Sequence, residues 1–228
     1  MIPLRDSEAE HRLTPANTLL IAINLAVFIL ELRLGPHAEP ELARFAMVPA
    51  LITGAASTIG EAAALATLVT SIFLHAGFLH VAGNMLYLFI FGPAVEERMG
   101  PTRFVGFYLV AGIVAGLAIV LMGPQAQVAV IGASGAIAGV LGAYLVLFPG
   151  GRITTVIPFF FLLRVIELPA IFYLLIWFAL QLYSGIAGGA TGPLVGGVAW
   201  WAHVGGFLFG VAIGPILARP QPTRRRKR

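Results

Sequence analysis

Residues 104–122 read FVGFYLVAGIVAGLAIVLM, nineteen positions without a single charge. At 1.5 Å per residue this run makes a helix of about 28 Å, close to the ~30 Å of hydrocarbon in a bilayer. Pro101 and Arg103 precede it and Gly123-Pro124 follow it. Working outward, comparable apolar runs cover about 17–34, 79–97, 133–149, 167–184 and 200–218. Gly100-Pro101, Pro149-Gly150-Gly151, Gly188-Gly189 and Gly192-Pro193 separate them. The expected fold is therefore all-α: a polytopic membrane protein with six transmembrane helices. Residues 1–16 are expected to form a short cytoplasmic N-terminal segment, 17–218 a six-helix membrane domain, and 219–228 a basic cytoplasmic tail.

Composition agrees with this class. Of 228 residues, 59% are hydrophobic and 11% charged, against about 45–50% and 25% in soluble domains. Mean hydropathy is +0.94. These values argue against a water-soluble enzyme, a disordered chain or a nucleic-acid module. The net charge of +4 does not reverse that, because six of the fourteen basic residues crowd the last ten positions. A basic tail after an apolar run marks a flank beside anionic lipid. Cysteine is absent, so disulfides, thiolate metal sites and a cysteine nucleophile are excluded. The one aspartate, Asp6, stands near the start, which removes a Ser-His-Asp triad within the membrane domain.

With six spans, Arg5, Arg12, Arg98, Arg103, Arg152, Arg164 and the six tail residues fall on one side, and Arg33 and Arg44 on the other. This asymmetry predicts that both termini are cytoplasmic. The expected location is a bacterial or archaeal plasma membrane. The second, fourth and sixth spans then start on the outer side. Two stretches are not simple spans. Residues 35–78 are expected to form short helices at the membrane surface, and 153–165 an interfacial segment leading into the fifth span.

Polar groups at membrane depth are costly. They gather at the outer starts of the three inward-running spans: His80 and Asn84 on one helical face, Ser134 within Gly132-Ala133-Ser134-Gly135, and His203 after Trp200-Trp201-Ala202. A serine needs a neighbouring base to become a nucleophile, and a neutral histidine is the usual one. A serine at a helix start also offers its own N–H toward an oxyanion, and an amide or second imidazole can add donors. Each residue alone has a plainer reading. Ser134 could be a packing residue, His80 and Asn84 helix-to-helix hydrogen bonders, and His203 an interfacial side chain. Gly112/Gly116, Gly135/Gly139 and Gly206/Gly210/Gly214 recur every four residues, which suits close packing of the third, fourth and sixth spans.

The set His80-Val81-Ala82-Gly83-Asn84, Glu96-Glu97-Arg98, Gly132-Ala133-Ser134-Gly135 and Ala202-His203-Val204-Gly205-Gly206 with Gly210 resembles the rhomboid family of intramembrane serine proteases, over about Leu68 to Gly214. The resemblance implies Ser134 as nucleophile and His203 as its base, His80 and Asn84 as oxyanion-stabilising residues, and Glu96 and Arg98 as a structural charged motif. It implies membrane-anchored protein substrates cut in or near their membrane segments. The glycines of the 185–198 loop suit a gate or cap, so entry is expected beside it and the fifth span. The tryptophan-arginine pair of the family's first loop has no match between Leu34 and His75. His75 and His80 lie about 140° apart on a helix, unlike metal ligands at i and i+4, and no His-Glu-x-x-His occurs. No metal, cofactor or nucleic-acid partner is expected. The competing readings are a catalytically silent rhomboid-like binder of membrane clients and a channel or transporter.

Overall fold

The computed structural model turns the apolar runs into helices and places the glycine and proline breakers at their ends. Along the chain follow β1 (Ile2–Asp6), α1 (Pro15–Leu34), α2 (Glu39–Ala43), α3 (Pro49–Ile52), α4 (Glu61–Thr70), a 3-10 turn (Ser71–Phe73), α5 (Phe78–Met99), α6 (Pro101–Met122), α7 (Ser134–Leu147), β2 (Arg152–Phe159), β3 (Leu162–Pro169), α8 (Ala170–Ala187) and α9 (Trp200–Leu217). The structure describes residues 1–11, 13–35, 39–56, 60–159, 162–188 and 199–220. Arg224 to Arg228 of the expected basic tail lie outside the described residues.

Five helices, α1, α5, α6, α8 and α9, are long and apolar enough to cross a membrane. The fourth expected span, α7, has 14 residues and is about 21 Å long. It is the central helix. Every residue from Gly135 to Tyr144 is buried, with α9, α6 and α5 packed around it. Lipid tails are as apolar as leucine, so cohesion between helices rests on close packing rather than on exclusion of water. The small residues supply it. An added Cβ at Gly206 would overlap the Gly135 carbonyl, one at Gly210 the Gly139 carbonyl, and one at Gly142 the Phe207 carbonyl. On α6 the contact with α7 comes from Ala111 and Ala115, whereas Gly112 and Gly116 receive Ile72 and Leu68 from the segment before α5. The α6 glycine pair thus seats that segment, and Gly112 also faces Ala136 of α7.

The fold is mostly helical, as expected, and a small sheet takes the place of the simple apolar segment at 153–165. That stretch is an antiparallel hairpin, with Val156 opposite Val165 and Arg152 opposite Pro169. The N-terminal strand β1 adds to it, pairing Ile2 with Val156 and Asp6 with Ile153. Ile153 and Thr155 point inward on one face and are fully buried. Asp6 closes the turn after β1 by accepting the Glu8 and Ala9 N–H groups, and receives the Tyr144 hydroxyl at 3.4 Å.

Short helices do occupy the first loop, and backbone bonds anchor them. Met47 and Val130 form a two-bond bridge, Gly132 N–H donates to Ser71 O at 2.9 Å, and the Thr53 hydroxyl donates to Pro124 O at 2.7 Å. The loop is therefore clamped to the segment entering α7 without a tryptophan-arginine pair.

Glu96, only 2% exposed near the end of α5, caps the start of α1. Its carboxylate accepts the Ala16 N–H at 3.0 Å and the Asn17 N–H at 2.6 Å, while Thr14 makes no side-chain cap bond. Two otherwise orphaned donors and the positive end of the helix dipole explain a carboxylate here. Arg98 reaches the Leu147 and Arg219 carbonyls and lies over the Phe148 ring, joining the ends of α5, α7 and α9. Glu96→Ala should lower the thermal midpoint in detergent by about 5–10 °C. An unchanged midpoint would mean that this cap contributes nothing.

Candidate active site

The charged cluster at Glu96–Arg98 and the strand sheet sit at one end of the bundle. The starts of α5, α7 and α9 meet at the other. Each start is set by a local break. Gly77 precedes α5, so His80 falls in its first turn and Asn84 one turn below on the same face. Gly132 adopts φ +121°, a conformation that side chains rarely take, and turns the chain so that α7 begins at Ser134. A Cβ at Gly132 would also stand 2.7 Å from His80 Nε2. Glycine there serves both the turn and the close approach of the imidazole.

Ser134 and His203 meet across the α7–α9 contact. Ser134 Oγ lies 2.8 Å from His203 Nε2. These residues, His80 and Asn84 line one cavity of about 780 Å³, whose apolar walls include Tyr87, Ile137, Leu141 and Trp177. The structure thus brings together all four residues singled out by the sequence. Ser134 is half-buried and His203 is 9% exposed. As the first residue of α7, Ser134 has a backbone N–H without an intrahelical partner. Because α7 is about 9 Å shorter than the hydrocarbon is thick, its Ser134 end lies below the opposite boundary when its other end reaches the first.

The oxyanion candidates carry usable donors. The Ala76 N–H donates to His80 Nδ1 at 3.4 Å, which leaves the proton of the neutral ring on Nε2. Asn84, 8% exposed, donates through Nδ2 to His75 Nε2 at 3.0 Å. His75 is in turn fixed by an Nδ1–H bond to the Phe73 carbonyl at 3.2 Å and by its own N–H on Glu31 at 3.2 Å. Burial, reinforced by the His80 ring 5.2 Å away, lowers the His75 pKa to about 4. The neutral His75 therefore accepts from Asn84 and holds its amide nitrogen in place, leaving the second N–H of that nitrogen for the cavity. Among the described residues no group of three or more His, Cys, Asp or Glu side chains gathers as a metal would require.

Sequence reasoning missed two neighbours of His203. Gln181 Oε1 lies 2.8 Å from His203 Nδ1. The Trp177 ring is tilted against the imidazole at 5.8 Å, and Trp200 stands edge-on at 6.1 Å. The signal was present, since Gln181 is the one glutamine inside an apolar run. Of the expected entry loop, residues 189–198 lie outside the described residues.

The family model for the Rhomboid domain matches residues 62–220. Rhomboid protein 1, mitochondrial, of Saccharomyces cerevisiae is 30% identical over 220 residues, 92% of this chain and 55% of that protein. RHOMBOID-like protein 5 of Arabidopsis thaliana is 33% identical over 155 residues, 68% of this chain and 45% of its own length. Rhomboid protease GluP of Bacillus subtilis is 46% identical over 78 residues, 34% of this chain and 15% of the relative. The chain thus spans about half, or less, of each of these relatives.

Proposed function

The chain belongs to the rhomboid family, and from that premise we propose that it is an intramembrane serine protease acting on membrane-anchored proteins. The observation that carries the reading is the 2.8 Å contact of Ser134 Oγ with His203 Nε2 inside a cavity shared with His80 and Asn84. Ser134 Oγ attacks the scissile carbonyl and passes its proton to His203 Nε2. The oxyanion that forms is met by the Ser134 N–H, an Asn84 Nδ2–H and the His80 Nε2–H. The C–N bond breaks as His203 returns the proton to the leaving amine. Water, activated by the same imidazole, then hydrolyses the acyl-enzyme. A helical substrate must unwind at the cut, because its backbone is hydrogen-bonded and closed to attack. Helix-breaking residues near the cleaved bond therefore favour cleavage. Twelve basic residues against two set the orientation we propose, with the termini cytoplasmic and the Ser134 end outward.

A serine-directed fluorophosphonate tests the reading directly. The folded chain in detergent should become labelled at Ser134, and a folded chain that reacts nowhere would overturn it. The same reagent bears on Asn84. If its amide serves the oxyanion, Asn84→Ala should lower kcat by about 10–10²-fold with KM nearly unchanged, because the lost bond strengthens only in the transition state. Labelling should persist at a lower rate. A fall in thermal midpoint with normal turnover per folded molecule would instead assign Asn84 to helix packing.

A further inference from the structure

A buried polar side chain beside His203, Gln181, has no role yet in this chemistry. Gln181 is 7% exposed on α8, an apolar helix of 18 residues. An amide at that depth is costly unless both its ends are satisfied. Both are. Gln181 Nε2 donates to the Trp177 carbonyl one turn back, at 3.1 Å, which fixes the amide and turns Oε1 toward His203. Oε1 then stands 2.8 Å from His203 Nδ1.

We propose that Gln181 is a positioning residue for His203, a neutral third member that holds the imidazole in the tautomer a base needs. An amide oxygen can only accept, so the Nδ1 it faces must carry the proton. In a neutral ring this leaves the lone pair on Nε2, the atom 2.8 Å from Ser134 Oγ. The other tautomer would set two lone pairs against each other at Nδ1 and make His203 a donor to the serine, useless for taking its proton. As Nε2 gains that proton, the Nδ1–H···O bond becomes charge-assisted and steadies the imidazolium. Trp177 and Trp200 limit the ring's freedom but offer Nδ1 no acceptor. The only aspartate, Asp6, bonds Tyr144 among the strands at the opposite end of the bundle. An amide gives the orientation without burying a charge, whose desolvation would cost several kcal/mol by the usual estimate.

The proposal rests on the Ser134–His203 reading, and its test separates the two. The full chain is reconstituted with a single-pass model substrate, and kcat, KM, thermal midpoint and the second-order rate of fluorophosphonate labelling are measured. Gln181→Met, similar in volume but without an acceptor in that position, should lower kcat and labelling rate together by about 10–10²-fold, with KM and midpoint nearly unchanged. Gln181→Glu should restore kcat to within a few-fold of wild type, because a protonated carboxyl accepts from Nδ1–H and donates to the Trp177 carbonyl as the amide does. Wild-type kcat in Gln181→Met, or a loss expressed only in midpoint or KM, overturns the positioning role while the dyad stands. A wild-type chain that neither cleaves nor labels overturns the dyad reading itself. Should Gln181→Met fail to fold, nitrogen-15 shifts of His203 in the wild type decide alone. A protonated Nδ1 with a bare Nε2 supports the proposal, and the Nε2–H tautomer overturns it.

Discussion

Ser134→Ala should abolish cleavage of a reconstituted single-pass substrate, a fall of about 10⁵–10⁶-fold that leaves no measurable turnover. No other described side chain can take over the attack. The cavity places one hydroxyl, that of Ser134, in hydrogen-bond contact with His203, and the Tyr87 hydroxyl on its wall is bonded to Tyr173 instead. The fold should survive the change. Ser134 is the first residue of α7, where alanine is at least as good a helix former, and its side chain makes one described bond, to His203. Losing that bond costs about 1 kcal/mol, a shift of a few degrees at most. His203→Ala should be equally inactive, and the double variant no worse than either single one, because members of one catalytic unit are not additive. Cleavage by Ser134→Ala above a few per cent of wild type would remove Ser134 as nucleophile. A double variant impaired by the product of the single effects would remove the pairing.

The parts of this molecule that were legible in the sequence are those where the solvent dictates residue type. Lipid demands about twenty apolar residues per span, so the helices are visible as runs, and each polar residue inside them stands out. Ser134, His203, His80 and Asn84 were found that way. Gln181 is less legible because it lies toward the end of α8, away from the helix starts where the other polar groups gather, on a helix that packs on α9 beside His203. The β-branched run Ile153-Thr154-Thr155-Val156-Ile157 is a strand signal that its apolarity masked. Its partner β1 lies about 150 positions away, a pairing no local pattern reveals. The anchorage of the first loop was invisible for another reason. The bonds between Met47 and Val130 and between Ser71 and Gly132 are made by backbone, and backbone bonds leave no residue signature.

Gly206→Ala should cost both turnover and stability. Gly206 lies three residues after His203 on α9, and an added Cβ would overlap the carbonyl oxygen of Gly135, the residue next to Ser134. The obstacle is helical backbone. A side chain could rotate away, but this oxygen moves only with α7 itself. The helices must part by roughly 1 Å at the level of the dyad, a misplacement that costs about 10²-fold where reacting groups are held in one geometry. A 2.8 Å contact lengthened by that much is no longer a hydrogen bond. Overpacking adds a destabilisation of about 1–3 kcal/mol, so the thermal midpoint should fall as well. Gly106→Ala provides the comparison. That α6 position has nothing within 4 Å of an added Cβ, and the change should leave turnover intact and stabilise the helix slightly. Ala138→Gly distinguishes the obstacle further. Its Cβ lies 3.4 Å from the new methyl, but removing it leaves the Gly135 carbonyl in place, so it should not rescue Gly206→Ala. Wild-type turnover and midpoint in Gly206→Ala would mean that α7 and α9 do not approach as closely as described, and the route by which His203 reaches Ser134 would have to be redrawn.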